Sequence, residues 1–328
     1  MTNKMPAWDL SDYYKNIEDA KIAADLEEYR HGTEEFAKRY KGKLVSLSAV
    51  EFLDAIKDIE RRSKIAGRLG GFAYLNMVTQ MKNVEAVAFY QDIQEKLTDY
   101  CKPAIFFSLE FNALPDAKIE EWLQNKDVAF YKYWINRMRK FKNYELSEPV
   151  EEILVEKSLT SSEAWVRLYE ETSSRLVYTV DGKEYNDAEL SKLMLDKNPK
   201  IREKAGKELN RVLKENGHLM TFIYNMVMKD KAIEDEKRGF KTPVSSRNLS
   251  EDVSDETVEV LAQTVKKHYK DISERFYKLK AKWLGVEKIA YWDRNAPLPF
   301  ADDTTYSWNE AVQIVLNAYK EFSPKLYN

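Results

Sequence analysis

The chain has 328 residues, which at roughly 150 residues per domain allows about two domains. Hydrophobic residues make up 44% and charged residues 33%, a composition that buries a core and excludes a disordered chain. Its 52 Lys and Arg against 55 Asp and Glu leave a formal charge of −3, which excludes the basic footprint of a duplex nucleic-acid binder or a polybasic membrane-surface protein.

Cys101 is the one cysteine, so neither an internal disulfide framework nor a thiolate metal cluster can form. Met1 to Leu10 has neither the charged head nor the apolar stretch of a secretory signal. The longest apolar run, Ala104 to Phe111, is interrupted by Ser108 and Glu110 and is too short to span a bilayer. A soluble, cytoplasmic chain is expected.

Only ten glycines and nine prolines punctuate a sequence rich in Lys, Glu, Leu and Ala, which predicts a mostly helical fold. Ser48 and Glu51 form a capping box ahead of an amphipathic run through Phe52, Ile56 and Ile59. Gly70-Gly71 falls inside a helical pattern and reads as a close-packing point. Loops are expected at Leu114 to Asp116 and Tyr144 to Pro149. Between them, Phe130, Trp134, Met138 and Phe141 recur at steps of four, four and three, which predicts one helix burying those four residues with its Lys and Arg in water. The competing reading of Phe130 to Lys142 is a stacking, basic platform for single-stranded nucleic acid.

Thr160 to Glu163 repeats the capping pattern ahead of Trp165 and Leu168. Arg175 to Val180, Asp181-Gly182 and Lys183 to Tyr185 form a β-hairpin signature, the Asp-Gly pair supplying the positive φ angles of a two-residue turn. Asn186 with Glu189 caps the next helix. Asn198-Pro199 opens a long one, with apolar residues recurring from Ile201 to Ile233. Gly239 to Ser250 and Gly285 to Asp303 read as loops, and Ser307 with Glu310 caps a late helix. Ser323-Pro324 starts another that the sequence leaves shorter than two turns; either it is a frayed tail or the chain is cut from something longer, and the second is the expectation.

The chemistry is notable for what is missing. A hydrolytic zinc site commonly places two histidines one helical turn apart with a glutamate beside the first, and His31, His218 and His268 include no such pair. His218, beside Leu219 and Met220, is expected to be a satisfied core residue, whereas His31 and His268 sit among charges and are expected in solvent. No nucleotide-binding glycine loop or nucleophile elbow is present. Cys101 reads as an inert, buried thiol.

From Glu148 onward several stretches together resemble the oligoendopeptidase F family of zinc metallopeptidases, relatives of thimet oligopeptidase. They are Leu159 to Glu171 leading into the hairpin; Arg202 with Ala205, Glu215 to Leu219, Tyr224-Asn225, Ile233 to Asp235 and Arg238 to Phe240; Ser246 to Ser250; and Leu279 to Gly285 followed by Tyr291 to Pro299. The resemblance implies an all-α, two-lobed shell around a deep channel, with one small hairpin, acting on oligopeptides inside the cell. It implies residues 1–115 as a helical N-terminal region, 116–185 as a domain ending in the hairpin, and 186–328 as the first, incomplete part of the catalytic domain. In that family a zinc-bound water, deprotonated by glutamate, attacks the peptide carbonyl. The His-Glu-x-x-His helix that holds the zinc lies beyond the point matching Asn328, so no metal ligand or catalytic residue is assigned here, and the chain alone is expected to bind no zinc and cleave nothing. Arg247, Asn248, Asp293 and Arg294 are the candidates for the channel wall, where an arginine would meet a peptide carboxylate bidentately. The competing role for Asp293 and Arg294 is to pair with each other or with backbone at a loop anchor. The rival for the whole chain is a non-enzymatic helical module that binds peptides or proteins. Apolar surface left uncovered near the C-terminal region is expected to drive self-association.

Overall fold

The computed structural model describes residues 8–302 and 304–327. Most of the stretch read for a secretory signal, Asp303 at the end of the loop expected from Gly285, and Asn328 lie outside that range.

The first half is built from α1 (Ala20–Tyr40), α2 (Ala49–Thr79), α3 (Val84–Cys101), α4 (Phe106–Ala113), α5 (Asp116–Leu123), α6 (Lys126–Ala129) and α7 (Lys132–Arg139). Then come α8 (Glu148–Ser158), α9 (Ser162–Ser174), the hairpin strands β1 (Tyr178–Val180) and β2 (Lys183–Tyr185), and α10 (Asp187–Leu193). The remainder is α11 (Pro199–Glu215), α12 (Gly217–Arg238), α13 (Ser245–Ser250), α14 (Asp255–Lys267), α15 (Arg275–Leu284), α16 (Trp308–Phe322) and α17 (Pro324–Tyr327). The fold is all-α, and β1 and β2 pair antiparallel as the single sheet among the described residues.

Three capping boxes form as the sequence predicts, at Ser48/Glu51, Asn186/Glu189 and Ser307/Glu310. The fourth does not. Ser161 precedes α9 without a side-chain cap, and the Thr160 hydroxyl turns back to the Lys157 carbonyl. At the hairpin, Asp181 and Gly182 take φ values of 52° and 78°, the pair of left-handed residues that its two-residue turn requires. The long helix expected after Pro199 divides at Asn216, whose amide side chain donates to the Val212 carbonyl and ends α11. The expected loop after Gly239 contains α13, and Glu148 and Pro149 already belong to α8.

Aromatic rings make the first core. Phe52 stacks on Trp122 at 3.9 Å between centroids and lies parallel to Phe111 at 5.9 Å, while the Trp122 indole donates to the Leu47 carbonyl at 2.9 Å. Ile135 of α7 is fully buried in the same core, with Trp134 and Met138 packed on its margin. The expected burial of Phe130 is overturned: a break at Phe130-Tyr131 divides α6 from α7, and the Phe130 ring is 82% exposed. A second core joins α1, α2 and α3; Gly70 and Gly71 face Leu97 and Tyr13, where a Cβ would make only ordinary contact at 3.5 Å, so the expected close-packing point does not require glycine. Cys101 packs half-buried at its margin with a thiol that burial pushes up, in keeping with an inert role. A third core sets the hairpin against α10 and α11.

The stretch after Gly285 is fixed to α11. Arg202 donates to Asp293 from Nε and Nη2 at 2.8 and 2.7 Å, and Tyr291 donates to the Gly206 carbonyl at 2.6 Å. A Cβ on Gly206 would lie 2.8 Å from the Trp292 Cβ, so only glycine lets this segment come so close. Trp122→Ala is expected to lower stability by about 3–5 kcal/mol in urea unfolding, as for other large core aromatics. Gly206→Ala is expected to cost about 1–3 kcal/mol by overpacking in the same measurement.

Candidate functional site

The helix order brings α4, α7, α8, α12 and α13 around a cavity of about 580 Å³. Its walls are apolar, from Ile105, Leu109, Met138, Phe141, Val155 and Phe240. Phe240 follows the left-handed Gly239 that ends α12, and this turn lays its ring flat on Tyr144, 4.1 Å between centroids and 5° from parallel.

Charged groups converge on that frame. Arg238 meets Glu151 as a fork, with Nη1 and Nη2 at 2.7 and 2.8 Å from the two carboxylate oxygens, and its Nε donates to Glu234 at 2.7 Å. The Arg238 and Glu151 side chains are only 19% and 13% exposed, so the pair is largely shielded from solvent. Hydrogen bonding to Arg238 holds the Glu151 carboxyl below its ordinary value, against the opposing effect of burial. Lys231 is committed to Asp235 at 2.5 Å and to the Ser246 hydroxyl at 2.9 Å.

Glu145 is different. It accepts from Asn112 Nδ2 at 2.6 Å, and no cation lies within ion-pair distance of it among the described residues. Burial is the main cause that pushes its carboxyl above the ordinary glutamate value. Asn112 also donates to the Met138 carbonyl at 3.3 Å, and its own oxygen is buried without a partner.

The residues proposed from sequence fall elsewhere. Arg247 and Asn248 lie on α13 rather than in a loop, one facing solvent and the other the interior. Arg247 is exposed and pairs with Glu251 at 2.8 Å, while buried Asn248 donates to Asp255 at 2.8 Å. Asp293 is buried and taken by Arg202, so its loop-anchor role is realised with that arginine and not with Arg294. Arg294 is exposed beside Tyr269 and Tyr277, and its carbonyl accepts from the buried Lys280 at 2.7 Å. The structure therefore places the four at two separate positions, and none borders the 580 Å³ cavity. Sequence reasoning passed over Glu145, Glu151 and Arg238. The usable signal was the Arg238-Gly239-Phe240 helix end, where a left-handed glycine stops α12 and the following aromatic stacks on Tyr144.

The basic aromatic run of α7 is engaged within the protein. Tyr133 donates to Asp252 at 2.9 Å, Lys140 pairs with the same carboxylate, and Arg137 donates to the Ser250 carbonyl. These contacts hold Asp252 at a φ of 58°, and the bonds from Lys140 and Tyr133 keep its carboxyl low. Arg139 is spent on Asp116 and on the Phe111 and Asn112 carbonyls.

The histidines do not converge. His31, on α1, and His268, after α14, are exposed as expected; His218 is exposed as well, which corrects its reading as a core residue and follows from its place at the start of α12, just after the break. Among the described residues no group of three or more His, Cys, Asp or Glu is placed to hold a metal ion. No helix among them is long and apolar enough to cross a membrane.

Residues 110–178 match a family model described as Oligopeptidase F. No curated protein matches the chain. Among solved structures, oligoendopeptidase-F from Enterococcus faecium superposes with a TM-score of 0.77 at 17% identity, over 93% of this chain and 62% of that one. A Bacillus anthracis strain Ames protein named as an oligoendopeptidase F gives 0.69 at 19% identity, over 98% and 56%. PZ peptidase A, solved with an inhibitor, gives 0.65 at 17%, over 95% and 52%. The resemblance to oligoendopeptidase F is thus present in sequence over one stretch and in fold over nearly the whole chain, which spans 62% or less of the length of these structures.

Removing one partner of the shielded pair strands a charge. Arg238→Ala is expected to cost about 3–5 kcal/mol in urea unfolding, and Arg238→Met with Glu151→Leu to recover most of it. The pH dependence has a definite sign. Glu151 is held low, so the stability its pair contributes is present above the ordinary glutamate value and is lost as pH falls through the depressed one. Thermal unfolding of Glu151→Gln should accordingly show a shallower loss of Tm on acidification than the parent.

Proposed function

We propose that this chain, which has the oligoendopeptidase F fold, supplies the N-terminal helices and the first catalytic-domain helices of an intracellular, cytoplasmic zinc-dependent oligoendopeptidase that hydrolyses short peptides. The observation that carries the reading is the agreement of the sequence match over 110–178 with the fold match over 93% of the chain. The domain division at 115 and 185 belongs to the same proposal.

The proposed division of labour is that these helices shape a peptide-admitting wall while zinc is held by residues outside this sequence. Zinc, when bound in such an enzyme, polarises the peptide carbonyl and activates water. What this chain's own residues do is positional. Arg202 and Asp293 pin the segment that carries exposed Arg294, and Asn248 with Asp255 sets the end of α13 that carries exposed Arg247. Those two guanidiniums remain the proposed contacts to peptide carboxylates, with Asp293 and Asn248 positioning them. Assayed alone, the chain is expected to hold substoichiometric zinc and to leave a quenched fluorescent oligopeptide uncut with or without chelator. Stoichiometric zinc with chelator-sensitive cleavage would overturn the division.

The reading as an interaction module has one observation of its own. Half of the large apolar side chains exposed among the described residues lie on 260–327, including Ile314, Val315, Tyr319 and Phe322 of α16, and the only apolar residues buried there are Ala281 and Ala296. Such a surface is proposed to seek polypeptide cover, through self-association when nothing else is supplied. Sedimentation equilibrium should show an average mass that rises with concentration, and Ile314→Glu with Val315→Glu should abolish the rise.

A further inference from the structure

We propose that the cavity beside Glu145 binds a primary ammonium group carried on an apolar body. The charged groups facing Glu145 are Arg139 from α7, Glu151 from α8 and Arg238 from α12. Arg139 is bonded to Asp116 and to two carbonyls, and Arg238 to Glu151, Glu234 and the Tyr144 carbonyl. Lys231, the other cation on the lining, belongs to Asp235. Each cation around the cavity therefore has its own acceptor, and Glu145 has none of them.

A half-buried carboxylate without a counter-ion is costly, and it is relieved by a cation that arrives with a ligand. Asn112 fixes one oxygen of Glu145 through a 2.6 Å bond, so the acceptor is oriented in advance. The rest of the wall selects the body of that ligand. Ile105, Leu109, Val155 and Phe240 offer apolar surface, and 580 Å³ lies within the range of small-molecule pockets, roughly 300–1,000 Å³. A bare metal ion gains nothing from such walls, whereas an arylalkylamine or the amino terminus of a peptide with an apolar first residue uses both features. The inference stands on the cavity alone and is tested by binding rather than cleavage, so it survives or fails independently of the peptidase reading.

The experiment is calorimetric titration of the full chain with phenethylamine, leucyl-leucine amide, N-acetyl-leucyl-leucine amide and phenylacetate. The first two are expected to bind saturably and the last two not at all. Tighter binding of leucyl-leucine amide assigns the site to peptide amino termini, and tighter binding of phenethylamine assigns it to free amines. Glu145→Gln keeps the acceptor for Asn112 and is expected to weaken both amines about 10- to 100-fold, the worth of a charged hydrogen bond. Its Tm should be equal to or above that of the parent, because the raised carboxyl loses a charge that opposes folding. Val155→Trp narrows the cavity from the α8 wall while leaving Glu145 in place and should block binding in a folded protein. Absence of saturable amine binding, or equal affinity in folded Glu145→Gln, would sink the proposal.

Discussion

A guanidinium that answers two carboxylates and a carbonyl at once fixes how α12 meets α8. Arg238 closes a bidentate contact with Glu151, reaches back to Glu234 on its own helix and donates to the Tyr144 carbonyl at 3.1 Å. The geometry of the fork demands that both helices hold their positions, and the stacked Tyr144–Phe240 pair seals the same junction with apolar surface. The cavity exists because this junction props the second half of the chain against α4 and α7 instead of letting side chains fill the gap.

A second set of contacts secures the far side. Tyr133 and Lys140 converge on Asp252, and Lys41 pairs with Glu148 at 2.6 Å. These pairs are more exposed than Arg238–Glu151 and individually contribute little to stability. Their value is in register: each links one part of the first core's helices to a defined position after residue 147. The basic aromatic run around α7 is engaged within the protein: Tyr133, Arg137 and Lys140 meet partners more than a hundred residues downstream, and Arg139 meets Asp116 and two carbonyls upstream.

The uneven burial along the chain is the other organising fact. Aromatic and aliphatic side chains before residue 140 interlock in two cores, whereas α14 and α16 keep Val260, Leu261, Val265, Ile314 and Tyr319 in solvent. Helices with such faces are ordinarily stabilised by tertiary cover rather than by propensity.

Local chemistry was legible in the sequence wherever it acts within a few residues. Three of four capping boxes, the Asp-Gly turn and the Asn198-Pro199 start all formed, because a cap or a two-residue turn is satisfied by neighbours in the chain. Periodicity identified helices but misjudged their partners: Phe130 is exposed and Ile135 buried, since the break at Phe130-Tyr131 resets the helical phase. The candidate cavity was not legible at all. Whether Glu145 or Glu151 is paired depends on where Arg238 arrives from 87 residues away in its bond to Glu151, and no spacing rule encodes that distance. The sequence by itself determined the helical class, the hairpin and the family likeness. Only the tertiary structure decided which charges are spent on one another and which one is left to face an empty space, because ion pairing among so many acidic and basic groups is settled by packing.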